Sequence, residues 1–256
     1  MLGEGIFVLR FMIRMVKLCV CLCMLGCVAW FGLKFYFAHI NPIVPRIRSD
    51  VTAQVRAHQS RFLTYQQIPE VYRNAVIATE DRRFFKNVGV DFQGMARAIT
   101  VDIREQRPLQ GGSTITQQLV HNTLLSTTPK SLMWKVKETL YAIGVYDTMT
   151  KQEIFALYAN DIYFGHGAYG LYAAAQTYFG KAPSELNAGE LTLLAGLPNA
   201  PSDYDPFVNM QLARERQRMV VQSMEADGMI TQAQGAQIFS QPIRLASVYS
   251  SNPNVE

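Results

Sequence analysis

Apolar residues along this chain fall into one uninterrupted block near the N-terminus, followed by a run of shorter stripes at helical spacing. The block, Leu18 to Leu33 (LCVCLCMLGCVAWFGL), carries no charge, and residues 35–38 extend it past Lys34. Twenty-one helical residues rise roughly 31 Å, which matches a hydrocarbon core of about 30 Å. The pattern predicts a membrane-spanning helix over 18–38 behind a short segment, 1–17. Lys34 snorkels toward an interface where Trp30, Phe35, Tyr36 and Phe37 form an aromatic belt. Arg10, Arg14 and Lys17 precede the span, so the positive-inside rule places 1–17 in the cytoplasm and the body on the far side. A cleaved signal peptide is the alternative, but no small-x-small site follows the apolar run.

Beyond the block, helix-start signals recur. Thr150-x-x-Glu153, Asn187-x-x-Glu190 and Thr231-x-x-Gln234 each precede an apolar stripe, as a capping residue and its reciprocal partner should. Pro129 predicts a helix through about Asp147, and Asn209 opens another that runs to Gly228. Pro198 and Pro201 close a helix over 191–197. No window sustains period-two alternation; Val51–Val55 predicts at most a short hairpin. The reading is one mainly α-helical domain over 48–246, with a frayed tail at 247–256.

Charge changes the picture in one way. Of the 256 residues, 49% are hydrophobic and only 17% charged, which excludes a disordered chain and a coiled coil. The net charge of +4 is concentrated in residues 1–34, which contribute +3; the remainder holds 20 basic and 19 acidic groups. A nucleic-acid binder would spread its excess over the folded body, so nucleic acid is excluded as a partner. Cys19, Cys21, Cys23 and Cys27 all fall in the apolar block. They read as small apolar residues rather than metal or redox ligands. The four histidines lack ligand spacing, so no protein-held metal is expected.

Three segments carry candidate chemistry. Glu80 and Asp81 interrupt an apolar helix face in AVIATEDRRFF; neighbours on a helix point about 100° apart, so they do not form a facing pair. Either one faces a cleft, or both belong to a solvated turn. Gly111-Gly112-Ser113-Thr114-Ile115-Thr116-Gln117-Gln118 brings hydroxyls and amides to a helix N-terminus suited to a phosphate or diphosphate; an ordinary capped helix is the alternative. In Lys135-Val136-Lys137-Glu138, Lys130, Trp134 and Lys137 share a stripe, with Glu138 one turn below Trp134. An exposed ion pair is the plainer reading there.

Read in order, these segments resemble one family. ATEDRRFF at 78–85, Gly89-x-Asp91, GGSTITQQ at 111–118, KVKE at 135–138, NDIYFG at 160–165, GLYAAAQTYFGK at 170–181 and ELTLLAGLPNAPSDYDP at 190–206 look like the successive motifs of peptidoglycan glycosyltransferases. These are the transglycosylase domains of class A penicillin-binding proteins and their monofunctional relatives. Ser-x-x-Lys and Lys-Thr-Gly do not occur, so no transpeptidase module is expected.

The resemblance implies a lysozyme-like, mainly α fold with a small membrane-proximal lobe, anchored in the cytoplasmic (inner) membrane. It implies polymerisation of lipid II into β-1,4-linked glycan strands, with inversion at the donor carbon and release of undecaprenyl diphosphate. Glu80 matches the general base that takes the proton of the acceptor 4-hydroxyl, and Glu138 the second essential acid. Asp81, Phe84, Arg97, Gly112, Ser113, Thr114, Gln117, Gln118, His121, Lys130, Lys135, Lys137 and Asn160 match positions that bind substrate or shape the cleft. The partners implied are lipid II, the growing glycan chain, the membrane and other cell-wall synthesis proteins; Mg2+ carried on the substrate diphosphate is compatible with this. Leu124, Leu125, Leu132, Met133 and Trp134 are candidates for an apolar lip, with core packing as the alternative.

Several residues depart from the family pattern, which usually has an Arg near Lys130. Asn87 stands for a His, His121 for a Lys, Trp134 for an Arg and Tyr172 for an acid. Trp134 removes a fork-shaped phosphate ligand, and His121 carries less charge than a Lys, so a thinner diphosphate clamp is expected. Besides the polymerase, two readings remain at this point: a catalytically weak scaffold binding lipid-linked glycan or cell-wall machinery, and a glycan-cleaving enzyme.

Overall fold

A computed structural model describes residues 2–96 and 112–247. Arg97, Gly111 and residues 248–256 of the expected tail lie outside the described residues. The chain divides into two compact units, Met1–Ile43 and Val44–Glu256.

The first unit is dominated by helix α1 (Leu2–Phe35), continued by a π-helical turn at Tyr36–Ile40. Its Arg10–Phe35 stretch is long and apolar enough to cross a membrane. The helix begins well before the expected residue 18, because Arg10, Arg14 and Lys17 are good helix formers and nothing between them breaks the chain. Lys34 Nζ lies 5.5 Å from the centre of the Trp30 ring.

The second unit is helical throughout, and among the described residues its only β-type pairing is an isolated bridge between Tyr163 and Tyr169. Helix α2 (Ile43–Ala57) replaces the expected hairpin at Val51–Val55. Ile47, Val51 and Val55 recur every four residues and are buried; the helical stripe outweighs the β preference of two valines. Helix α3 (Glu70–Glu80) stops at Glu80, and Asp81 leaves helical geometry at φ −156°, ψ 71°. Glu80 and Asp81 are therefore separated by a helix end, not merely by a helical turn.

Helix α4 (Ile115–Leu124) is capped by Thr114. Helix α5 (Leu132–Thr148) starts three residues later than Pro129 predicts, because the Ser131 hydroxyl accepts the Trp134 N–H at 3.1 Å and fixes the start there. Lys130 consequently lies outside the helix but still reaches the Trp134 ring, 6.0 Å from its centre, while Lys137 stands over Tyr141, 5.5 Å from its ring centre.

The capped starts at Thr150, Asn187, Asn209 and Thr231 are present. They open α6 (Lys151–Asp161), α8 (Ala188–Gly196), α9 (Met210–Ala226) and α10 (Gln232–Ser240), with α7 (Leu171–Phe179) between the first two. At Thr150 the reciprocal half of the box is spent elsewhere, since Glu153 pairs with Arg48 of α2. Leu197–Asn199 forms a 3-10 turn after α8, where Pro198 ends it. Gly228, at φ +68°, follows α9.

Helix α3 packs on α8 and α9, while α4 packs on α5 and α6. Tyr72, Phe84, Phe155, Tyr158, Phe164 and Tyr178 are fully buried in the core. The expected apolar lip splits: Leu132 and Met133 are 85% and 73% exposed, Leu124 and Trp134 are half-buried, and Leu125 is in the core.

Candidate active site

The end of α3 and the start of α4 are tied together by Asp81. Its carboxylate accepts the Asn87 side-chain amide at 2.8 and 3.0 Å and the backbone N–H of Ile115, the first residue of α4, at 3.2 Å. Burial pushes the Asp81 carboxyl up to about 6, against the opposing pull of Asn87, Ile115 and Lys151. Asn87 Oδ1 in turn accepts Lys151 Nζ at 2.8 Å and the Gly89 N–H at 3.0 Å. Burial brings Lys151 down to about 8, with Asp81 acting in the opposite sense. All of the Asn87 amide is thus engaged in joining Asp81 to Lys151.

Thr114 anchors the same helix start. Its hydroxyl donates to the Gly89 carbonyl at 2.6 Å and accepts the Gln117 N–H, while Gln117 Oε1 accepts the Thr114 N–H at 3.0 Å. Gly89 has φ +86°, and a Cβ there would meet the Ala142 carbonyl oxygen at 2.3 Å. No other residue fits between α4 and α5 at that point.

From this fixed turn, two consecutive glutamines reach different acids. Gln118 Nε2 donates to Glu80 Oε2 at 2.8 Å, and Gln117 Nε2 to Glu138 Oε2 at 3.3 Å. The 100° step between neighbours on a helix makes α4 a partition between the two carboxylates. Glu138 is 2% exposed and forms an ion pair with Lys135, whose ammonium also donates to the Ser113 hydroxyl at 2.9 Å. An exposed ion pair at this spacing is ruled out by the burial of Glu138. Glu80 keeps 18% of its side chain exposed.

The structure also supplies two residues that the sequence did not single out. An Arg216 guanidinium nitrogen lies 3.6 Å from Glu80 Oε1, and its Nε–H donates to the Gly196 carbonyl at 3.3 Å. Tyr158 Oη donates to Gln118 Oε1 at 3.2 Å. Arg216 left a trace in the sequence: it shares the buried face of α9 with Ala213, Val220 and Met224, and a charge on an apolar face needs a partner. Tyr158 left none, since it sits in a helix buried nearly all round.

One turn beyond Gln118, the His121 ring meets Trp134 edge to face, with centres 5.2 Å apart. Burial and then Lys130 hold the imidazole below its ordinary range, with Lys135 adding to this and Glu138 opposing it. These surroundings favour the neutral imidazole over the imidazolium. The ammonium groups of Lys130 and Lys135 lie 6.0 and 5.7 Å from the Trp134 ring centre. His121 Nδ1 and Trp134 Nε1 are buried without a hydrogen-bond partner among the described residues.

Other expected site residues are placed apart from this cluster or outside it. Phe84 is a core residue, stacked edge-on against Phe155 and lying beneath Lys151. Asn160 is 1% exposed and its amide is occupied by the backbone of Leu63 and Ala156, so it pins the segment before α3. Gly112 and Lys137 are exposed, and Tyr172 is half-buried.

A family model described as Transglycosylase matches residues 48–225. The chain belongs to the transglycosylase family. Penicillin-binding protein 1A of Escherichia coli (strain K12) is 38% identical over 243 residues, covering 88% of this chain and 28% of that protein. Penicillin-binding protein 1A of Aquifex aeolicus (strain VF5) is 45% identical over 186 residues, covering 72% of this chain and 26% of that protein. The chain therefore spans little more than a quarter of the length of these relatives. A crystal structure of penicillin-binding protein 1A from Haemophilus influenzae aligns with a TM-score of 0.45 at 24% identity, over 73% of this chain and 18% of that one. Glu80, Gln117, Gln118, Glu138, Tyr158 and Arg216 all lie inside the transglycosylase match.

Proposed function

We propose that this transglycosylase polymerises lipid II into β-1,4-linked peptidoglycan strands on the outer face of the cytoplasmic membrane. The observation that carries the reading is the separation of two acids by one helix turn, Glu80 on Gln118 and Glu138 on Gln117. Inverting transfer needs a base on one side of the reacting sugar and stabilisation of a leaving group on the other. Glu80, partly open to solvent, takes the proton of the acceptor 4-hydroxyl as its oxygen attacks the donor anomeric carbon. The bond from that carbon to the diphosphate oxygen breaks, and undecaprenyl diphosphate leaves with the electron pair. Lys135, held by Glu138 and Ser113, together with Lys130, meets the charge on the diphosphate, and Mg2+ carried by the substrate would add to it. Helix α1 tethers the domain to the membrane with its N-terminus in the cytoplasm, and other cell-wall synthesis proteins are its partners on the outer face.

The test is a polymerisation assay with labelled lipid II and detergent-solubilised full-length protein, run beside Glu80→Gln. Polymer from the wild type alone supports the reading. Lipid II binding without polymer would favour a scaffold, and shortening of preformed glycan would favour a hydrolase.

A further inference from the structure

Behind Glu80, two phenols are buried that the transfer step does not use. Tyr72 and Tyr158 are 0% and 1% exposed. Burial, and then the nearby Glu80 carboxylate, push both hydroxyls up, so both stay protonated at any working pH. Their hydroxyls are used differently. Tyr72 Oη has no hydrogen-bond partner among the described residues, whereas Tyr158 Oη donates to Gln118 Oε1 at 3.2 Å.

A carboxamide has a donor end and an acceptor end of nearly equal shape. Beside a carboxylate the two orientations differ sharply. With Nε2 toward Glu80, Gln118 donates at 2.8 Å; turned over, it would set two acceptors face to face. A phenol donating into Oε1 fixes the first orientation. It also polarises the amide, which strengthens the N–H passed on to the carboxylate.

We propose that Tyr158 is a positioning residue for the base, acting through Gln118 to aim a hydrogen-bond donor at Glu80 and hold it ready to accept a proton. The inference rests on the reading of Glu80 as the general base. Tyr158 lies on α6, Gln118 on α4 and Glu80 at the end of α3, so the relay also registers three helices at the reacting centre.

The experiment measures initial polymerisation rates of full-length protein on lipid II across the acid limb of the pH profile. The variants are Tyr158→Phe, Tyr72→Phe, Gln118→Leu and the double Tyr158→Phe/Gln118→Leu. A donor favours the carboxylate over the carboxylic acid, so its weakening moves the acid limb to higher pH. Tyr158→Phe is expected to lose roughly fivefold in kcat near neutrality, the effect of one hydrogen bond, with KM unchanged and the rate recovered at alkaline pH. Tyr72→Phe is expected to superimpose on wild type, and Tyr158→Phe to add nothing once Gln118 is Leu. Should Tyr158→Phe unfold, a fluorotyrosine at 158 keeps the ring and strengthens the donor, and must move the limb to lower pH. An unmoved limb in the Tyr158 variants, an equal effect from Tyr72→Phe, or additivity with Gln118→Leu would overturn the proposal. Absence of polymer from the wild type would instead overturn the function reading, and the inference with it.

Discussion

Arg216 and Glu80 are 136 positions apart in the chain, yet a guanidinium nitrogen of one lies 3.6 Å from a carboxylate oxygen of the other. The pair sits where α9 packs on α3, and Arg216 is nearly buried. Glu80 thus receives positive charge on Oε1 and a neutral donor on Oε2. Replacing Arg216 by Met is expected to lower kcat by roughly tenfold and to move the acid limb of polymerisation to higher pH. Arg216→Lys keeps the charge but loses the Nε–H bond to Gly196, and should fall between the two. Rate–pH profiles of the three proteins check this; identical limbs would remove Arg216 from any role at the base.

Asn87, where the family usually has a histidine, is the link between Asp81 and Lys151. Its amide makes four hydrogen bonds to Asp81, Lys151 and Gly89. Asn87→Ala strands a buried carboxylate and a part-buried ammonium, at a cost of about 1–3 kcal/mol. Thermal unfolding in detergent should show the loss as a lower Tm. Polymerisation should weaken with it, because Asp81 also holds the first N–H of α4.

Asp161 provides a pH-dependent test of stability away from the reacting groups. Its Oδ2 is buried without a hydrogen-bond partner among the described residues, and burial followed by Asp50 raises the carboxyl to about 6, with Asn122 opposing. A carboxyl raised above its unfolded value near 3.8 leaves the folded state holding more protons between those limits. Its contribution to stability is full below about pH 4 and is lost as pH rises through about 6. Asp161→Asn removes that titration, and is expected to stabilise the protein by about 1–2 kcal/mol at neutral pH. At about pH 4 the gain should be near zero. Equal gains in Tm at both pH values would contradict the assignment.

What could be read from the sequence was what local chemistry fixes. The caps at Thr150, Asn187, Asn209 and Thr231 were legible because a side chain and its N–H target lie three residues apart. The acids Glu80 and Glu138 were legible through the order of the motifs around them. The helix at Val51–Val55 was misread because a four-residue stripe is easily mistaken for β-branched strand when viewed over five residues. Arg216 and Tyr158 were missed because their partners come from other helices, and pairing of that kind leaves no spacing to find. Asn87 looked like a loss by comparison with a histidine; in place, its amide spans two charged groups without titrating. Trp134 and His121 stand where the resemblance leads one to look for basic groups; the first is an indole, and burial weakens the hold of the second on a proton.

The adjacency of Gln117 and Gln118 has a further consequence. Both acids take their orientation from one turn of backbone, and that turn is fastened by Thr114 to Gly89 and by Ile115 to Asp81. The two glutamine donors cannot be re-aimed separately. A one-residue insertion or deletion between Ser113 and Gln117 would rotate the glutamines about 100° around the helix axis, so that both acids would lose their glutamine donors at once, leaving Glu80 with Arg216 and Glu138 with Lys135. Whatever adjusts this centre must either move the whole turn, carrying both acids together, or act from behind each one.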